Sequence, residues 1–288
     1  MTEEGRTAVD EQPRGEFLPG TAIEVLNPEI ERGRIRHALF DFDGTISLVR
    51  EGWQRIMCEM MTRTILAAPD AEEREQVRRE VDDLIARTTG RQTIDQMAML
   101  ADEVRARGGE PRFAEDYKAE YLDDLARVVE HRREALRSGA DAPEEHTVPG
   151  ALEAIDWLSE RGVVLHIASG TDRGAVCIEA ELLGVTDRFA SIHGAMPDAD
   201  AFSKAAVVEA LADIAPGPEL VSFGDGVVEM RHSAEVGAIA VGVASDEERR
   251  EGVDDWKRER LVDAGADVIV PDFREHERLL RWLCAEED

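Results

Sequence analysis

Apolar residues recur at two different spacings along the chain, and the change of spacing divides it into regions. In the segment 52–68 the apolar residues, among them Ile56, Met60 and Ile65, lie three or four positions apart, which is the spacing of one helix face. Similar spacing continues to about residue 139, and no strand pattern interrupts it. The segment 48–145 is therefore predicted to be all-helical.

From residue 149 onward, short apolar runs rich in branched residues alternate with helical segments. The runs VVLHIAS and ELVSFGD are examples of the predicted strands. Alternation of strand and helix is typical of a parallel sheet with helices on both faces. The run RIRHALFDFD predicts an earlier strand of the same type, which ends at Asp41. The predicted fold class is α/β, a Rossmann-like doubly wound parallel sheet with an inserted all-helical domain.

The predicted domain organisation has one interrupted core. Residues 21–47 and 146–288 form the core, and residues 48–145 form the helical insertion. Residues 1–20 are polar and acidic, and they are predicted to be a flexible lead-in. Within the core, the segment 248–265 is predicted to be one helix.

The chain is strongly acidic, with 34 basic against 63 acidic residues and a formal net charge of -29. This excess disfavours nucleic acid and anionic membranes as partners. Three cysteines lie far apart without metal-binding spacing, which is typical of reduced thiols in a cytoplasmic protein. An anionic ligand would need a local positive pocket, and the chain has only three lysines, Lys118, Lys204 and Lys257.

Polar side chains follow the predicted strands at the ends where ligands bind in open α/β sheets. Asp41 and Asp43 end the first strand, Ser169 ends a second, and Asp225 ends a third. Lys204 begins the helix that precedes the third strand. Each residue alone has an ordinary explanation, as an acidic turn, a helix cap or a solvated lysine. Their joint occurrence at one edge of the sheet predicts a single site.

These segments resemble the four motifs of the haloacid dehalogenase superfamily: DFDGT at 41–45, HIASGT at 166–171, Lys204, and FGDGVVE at 223–229. The resemblance covers residues from about 35 to 285. The helical insertion resembles the cap domain of this family, whose capped members mostly act on small soluble phosphate esters. One position departs from the pattern, because the fourth motif usually ends in aspartate and Glu229 stands there.

The resemblance implies phosphoryl transfer through an aspartyl-phosphate. Asp41 would be the nucleophile, and Asp43 would be the general acid and base that favours phosphate monoesters as substrates. Mg²⁺ would be held by Asp41, the backbone carbonyl of Asp43, and Asp225. Glu229 would reach the ion directly or through water.

The resemblance also implies a phosphate-binding set. Lys204 and Ser169 would complete the catalytic residues and bind phosphoryl oxygens. The backbone amides near Phe42, Asp43 and Gly170 would bind the remaining oxygens.

Five further residues are candidates for contact with the substrate. Arg50, Glu51 and Trp53 follow the first motif, where the chain enters the insertion, and a solvated hinge with one packed tryptophan is the alternative. Arg173 could add positive charge, or it could pair with a neighbouring acid on its helix. His193 ends a short strand at the same edge, although a lone histidine is usually structural.

The expected function is a Mg²⁺-dependent phosphatase for a small phosphorylated metabolite, such as a sugar, polyol or nucleoside phosphate. The alternatives are a phosphomutase on the same scaffold and a non-catalytic binding member of the family. The pattern of residues sets neither the particular substrate nor the oligomeric state.

Overall fold

A computed structural model describes residues 15–89, 91–196 and 203–286, and its centre is a sheet of eight strands. The strands are β1 (Glu16–Phe17), β2 (Glu24–Val25), β3 (His37–Phe40), β4 (Val164–Asp172), β5 (Phe189–Ala195), β6 (Leu220–Gly224), β7 (Ile239–Val243) and β8 (Val268–Val270).

The strand order explains how distant parts of the sequence meet. Across the sheet the order is β1-β2-β8-β7-β6-β3-β4-β5. Strands β3 to β8 pair in parallel, whereas β1 and β2 add an antiparallel edge. Because β3 lies between β6 and β4, the carboxyl ends of these three strands are neighbours at one edge of the sheet.

Ten α-helices are described. They are α1 (Trp53–Ile65), α2 (Arg74–Thr88), α3 (Thr93–Ala106), α4 (Ala114–Ser138), α5 (Ala151–Glu160), α6 (Arg173–Leu182), α7 (Lys204–Ile214), α8 (Val227–Val236), α9 (Asp255–Asp263) and α10 (His276–Leu283). None of the helices in the described ranges is both long enough and apolar enough to cross a membrane.

Both faces of the sheet are covered, as a doubly wound fold requires. Successive side chains of a strand point to opposite faces. Ala38 and Phe40 of β3 therefore pack in the cluster that contains α5, α6 and α10, whereas Leu39 packs with α7. On that second face α8 and α9 cover β7 and β8. The predicted α/β fold class is confirmed.

Helices α1 to α4 form the insertion, and all of them lie within the proposed bounds 48–145. Apolar residues on their facing sides, such as Met60, Leu100 and Tyr117, are almost completely buried. Helix α4 ends at Gly139, whose φ of 71° is the left-handed conformation that commonly ends helices. The insertion thus has an apolar interior of its own that continues into the core of the sheet.

Two details differ from the sequence-based expectations. Residues 1–14 of the predicted lead-in lie outside the described residues, but Glu16–Phe17 pairs with β2, so the prediction is wrong there. Two residues are too few to show a strand periodicity. The helix predicted from residue 248 begins only at Asp255, because Gly252 has a φ of 80° and Asp254 caps the helix by accepting a hydrogen bond from the Lys257 amide.

Gly150 provides a test of the contact between the start of α5 and the segment that precedes α10. Its φ is 80°, and a Cβ placed on it would lie 2.2 Å from the carbonyl carbon and oxygen of Phe273. Gly162 has a similar φ of 76° and nothing within 4 Å. We expect Gly150→Ala to lower the free energy of unfolding by about 3 kcal/mol, because backbone overlap adds to the left-handed strain. Gly162→Ala should cost about 1 kcal/mol, from the strain alone. Urea unfolding measures the free energy of unfolding of both variants. Equal decreases in the two variants would contradict the prediction and would show that the Phe273 backbone moves aside without cost.

Candidate active site

The ends of β3, β4 and β6 bring the predicted site residues to one edge of the sheet. Asp41 directly follows β3, and its amide donates a 2.8 Å hydrogen bond to the carbonyl of Phe223 in β6. Asp225 directly follows β6, and Ser169 lies in β4. Parallel pairing therefore places these residues side by side, although more than 180 residues of sequence separate Asp41 from Asp225.

The carboxylate of Asp41 is buried and is held on both oxygens. Its Oδ1 accepts a 2.7 Å hydrogen bond from the Phe42 amide, and its Oδ2 lies 2.8 Å from Lys204 Nζ. The same ammonium donates to Glu229 Oε2 at 3.2 Å. Glu229 Oε1 accepts from the Gly226 amide at 2.9 Å. Lys204 is thus a buried cation that two carboxylates share.

A second lysine lies behind Asp225. Lys257 Nζ is 3.0 Å from Asp225 Oδ2 and 2.7 Å from Glu247 Oε1. The loop after Asp43 passes very close to the same carboxylate, since a Cβ on Gly44 would lie 2.3 Å from Asp225 Oδ2. Gly44 also has a φ of 76°. The close approach and the backbone conformation both require glycine there.

Three carboxylates at this edge could hold one metal ion. Asp41, Asp225 and Glu229 each offer an oxygen atom, and these oxygens lie within 4.8 Å of one another. Burial raises the pKa of Asp41 well above its usual range, and the charges of Glu229 and Asp225 raise it further against the opposing effect of Lys204. A cation would relieve this repulsion, and carboxylate oxygens are the hard ligands that suit Mg²⁺. The residues present therefore fit that ion.

The carboxylate of Asp43 is not one of these three acids, and it contacts side chains of β4 and Arg50 instead. Its Oδ2 accepts hydrogen bonds from the hydroxyls of Ser169, at 3.2 Å, and Thr171, at 2.8 Å. Its Oδ1 is buried and has no hydrogen-bond partner among the described residues, and Arg50 Nε lies 3.6 Å away. Burial raises the pKa of Asp43, and the Arg50 charge opposes that shift. One oxygen of Asp43 is thus held by hydroxyls while the other is left for a ligand.

A cavity lies between this edge and the insertion. Its sheet side carries Asp41, Asp43, Ser169, Gly170, Thr171, Lys204 and Asp225. Its insertion side includes Trp53, Met57, Gln96, Lys118 and Tyr121, and Arg50 lies between the two sides. Arg50 and Trp53 therefore border the space in which a ligand would lie. Arg50 is 8% exposed, so a solvated hinge is excluded for it.

Three other candidates do not line the cavity. Glu51 turns to the opposite side of its loop, where its carboxylate lies 3.1 Å from the Arg250 guanidinium. Arg173 donates a 2.9 Å hydrogen bond to the Ile192 carbonyl rather than pairing with an acid. His193 hydrogen-bonds at 2.7 Å to a serine hydroxyl of its own strand. Contact of these three residues with the substrate therefore stays a prediction, which their observed partners do not support.

The structure adds four residues to those singled out from the sequence. Thr171 donates a hydrogen bond to Asp43, and Lys257 forms an ion pair with Asp225. Lys118 borders the cavity, and its Nζ lies 3.0 Å from Asp172 Oδ1. The scarcity of lysine in the sequence is the signal that could have singled out Lys118 and Lys257. Glu179, which accepts hydrogen bonds from Arg50 and Arg133, carries no signal in the sequence, because an acid on a helix usually faces solvent.

Comparison with known proteins agrees with the family that the sequence motifs resemble. A family model described as haloacid dehalogenase-like hydrolase matches residues 35–237. This match covers more than half of the 288 residues, so the resemblance seen in the motifs is confirmed. A search of curated proteins found no match to the sequence.

Solved structures share the fold at low sequence identity. A predicted phosphoglycolate phosphatase from Haemophilus somnus superposes with a TM-score of 0.57 and 14% identity, over 85% of this chain and 98% of that one. A variant of CbbY from Rhodobacter sphaeroides, in complex with xylulose-1,5-bisphosphate, has a TM-score of 0.54 and 19% identity over 84% and 96%. A candidate beta-phosphoglucomutase from Thermotoga maritima has a TM-score of 0.51 and 18% identity over 86% and 98%.

Lys257 and Lys118 provide a matched test of the charges at the site. Lys257 is buried with Asp225 and Glu247, whereas Lys118 and Asp172 are partly exposed. We expect Lys257→Met to lower the free energy of unfolding by about 3 kcal/mol, because it leaves buried carboxylates without a counter-charge. Lys118→Met should cost less than about 1 kcal/mol. Urea unfolding in chelator measures both, and a small effect of Lys257→Met would show that solvent reaches these acids.

Proposed function

Because the chain belongs to the haloacid dehalogenase-like hydrolase family, we propose that it is a Mg²⁺-dependent phosphatase for small phosphate monoesters. The observation that carries the proposal is the 2.8 Å contact between Lys204 and Asp41 beside two further carboxylates. This arrangement places a buried carboxylate next to a cation that can bind a phosphoryl oxygen. Family membership makes the chain a hydrolase, and the phosphatase subclass and the metal are our inference.

Asp41 is the nucleophile in this proposal. One of its oxygens attacks phosphorus in line with the bond to the leaving group, and the electron pair of the broken P–O bond passes to the leaving oxygen. Lys204 and Ser169 border the cavity next to Asp41, where they can neutralise and orient the phosphoryl oxygens. The result is a phosphoryl group on Asp41, which water must then remove.

Asp43 supplies and recovers the proton. It gives a proton to the leaving oxygen in the first step and takes one from the attacking water in the second. Its Oδ1 suits this exchange, because Ser169 and Thr171 occupy only Oδ2. A carboxyl group whose second oxygen is fixed by hydroxyls keeps its orientation between the two steps.

Asp41, Asp225 and Glu229 would hold Mg²⁺, and the backbone carbonyl of Asp43 remains a predicted fourth ligand. When bound, the ion would offset the repulsion between these carboxylates and a phosphate dianion. Glu229 also has a second task, since one of its oxygens holds Lys204 and the other binds the Gly226 amide. Its extra methylene relative to aspartate gives it this reach.

The cavity walls favour a small leaving group with hydroxyls and an apolar part. Trp53, Met57 and Leu125 give the insertion side an apolar surface, while Gln96 and Lys118 give it polar groups. Sugar, polyol and nucleoside phosphates combine these properties. A phosphomutase would need the same acid and base, so isomer formation must be measured beside phosphate release.

The proposal is tested with a panel of sugar, polyol and nucleoside phosphates, scored by released phosphate and by isomer formation. We expect phosphate release in Mg²⁺ that chelator abolishes. Asp41→Asn should lower the rate about 10³-fold or more, because the amide cannot act as the nucleophile. Asp156→Asn, a surface change on α5, is the control and should leave the rate unchanged.

Full activity of a folded Asp41→Asn variant would remove Asp41 from the mechanism. Isomer formation without phosphate release would replace the phosphatase by a phosphomutase. Binding of these esters with no turnover in Mg²⁺ would favour a non-catalytic binding role.

A further inference from the structure

Arg50 occupies a buried position between the sheet edge and the insertion. Its Nε and a terminal nitrogen donate to the two oxygens of Glu179, at 3.2 and 2.8 Å. This two-pronged geometry fixes the plane of the guanidinium, and it is the strongest form of an arginine–carboxylate contact. The side chain is therefore held in one orientation before any ligand binds.

Glu179 is the anchor of this arrangement. It lies on α6 of the core, is 0% exposed and does not line the cavity. Besides Arg50, it accepts a 2.5 Å hydrogen bond from Arg133, which lies on α4 of the insertion. A buried carboxylate is stable only when it is paired, and here one partner, Arg133, lies on the insertion and the other, Arg50, lies between the insertion and the sheet edge. Glu179 thus ties the insertion and Arg50 to the core.

The backbone on either side of Arg50 is held by the same helix. Arg132 on α4 donates hydrogen bonds of 2.9 Å to the carbonyls of Val49 and Glu51. Adjacent arginines of α4 therefore fix the Arg50 segment twice, once through its backbone and once through Glu179. A displacement of α4 would change the position of Arg50.

Arg50 is also the cation nearest to the unoccupied oxygen of Asp43. Its Nε lies 3.6 Å from Asp43 Oδ1, which is beyond hydrogen-bond distance. That oxygen is buried and has no hydrogen-bond partner among the described residues. Since both groups border the cavity, the space beside them is where the leaving oxygen would lie.

We propose that Arg50 is a positioning residue for proton transfer to the leaving group, and that Glu179 acts through it. This inference rests on the proposed phosphatase function. As the P–O bond breaks, Asp43 Oδ1 passes its proton to the leaving oxygen and becomes a carboxylate. Arg50 orients Asp43 Oδ1 and stabilises the negative charge that forms on the Asp43 carboxylate.

The proposal makes the effect of Glu179 depend on the leaving group. An alkoxide needs the proton in order to leave, whereas a nitrophenolate leaves with little help. Disturbing Arg50 should therefore slow alkyl phosphates more than p-nitrophenyl phosphate. A merely structural role of Glu179 would change both substrates by the same factor.

The experiment compares Glu179→Gln with Glu103→Gln, which disturbs another arginine–carboxylate cluster that lies within the insertion, at Arg107. The substrates are p-nitrophenyl phosphate and the best alkyl phosphate found for the wild type. We expect Glu179→Gln to lower kcat for the alkyl phosphate about tenfold or more, with KM little changed. Its kcat for the aryl phosphate should fall less than about threefold. Glu103→Gln should change neither.

Equal losses of kcat on both substrates, or no loss, would overturn the role of Arg50 and Glu179. If Glu179→Gln does not fold, Arg133→Gln is compared on the same two substrates. This variant keeps the pairing of Arg50 with Glu179 and removes only the second arginine. A wild type that hydrolyses no phosphate monoester would contradict the proposed function itself, which is a different outcome from equal losses.

Discussion

The ammonium of Lys204 between Asp41 and Glu229 is the contact on which the site depends. Burying several carboxylates together is unfavourable unless positive charge lies among them. Lys204 contacts two of the acids, at 2.8 and 3.2 Å, and Lys257 contacts Asp225 from the other side. The two lysines therefore offset the cost of burying carboxylates at the ends of neighbouring strands, and this edge of the sheet stays folded.

The same arrangement answers the difficulty that an anionic substrate meets in a chain with a net charge of -29. All three lysines of the chain lie at this site: Lys204 and Lys118 border the cavity, and Lys257 contacts Asp225. Arg50 adds a further buried cation beside Asp43. These cations reduce locally the excess of negative charge that an anionic substrate would meet.

The sequence predicts the strand-end residues well because strands end with a visible change from apolar to polar residues. Parallel order then brings Asp41, Ser169 and Asp225 to one edge. The partners of these residues are harder to predict. Glu179 lies on a helix whose periodicity shows which face is apolar but not that an acid is buried with two arginines. Likewise, the loop after Asp43 has no periodicity, so nothing in the sequence shows that Arg50 points inward and Glu51 outward.

A crystal structure with Mg²⁺ and beryllium trifluoride, which mimics a phosphoryl group on aspartate, tests the central claim most directly. The account predicts the mimic on an Asp41 oxygen, with Mg²⁺ about 2.1 Å from oxygens of Asp41 and Asp225. Lys204 should contact the mimic while it remains near Glu229. A mimic bound elsewhere, with Lys204 still paired to Asp41 and no ion among the carboxylates, would contradict the account.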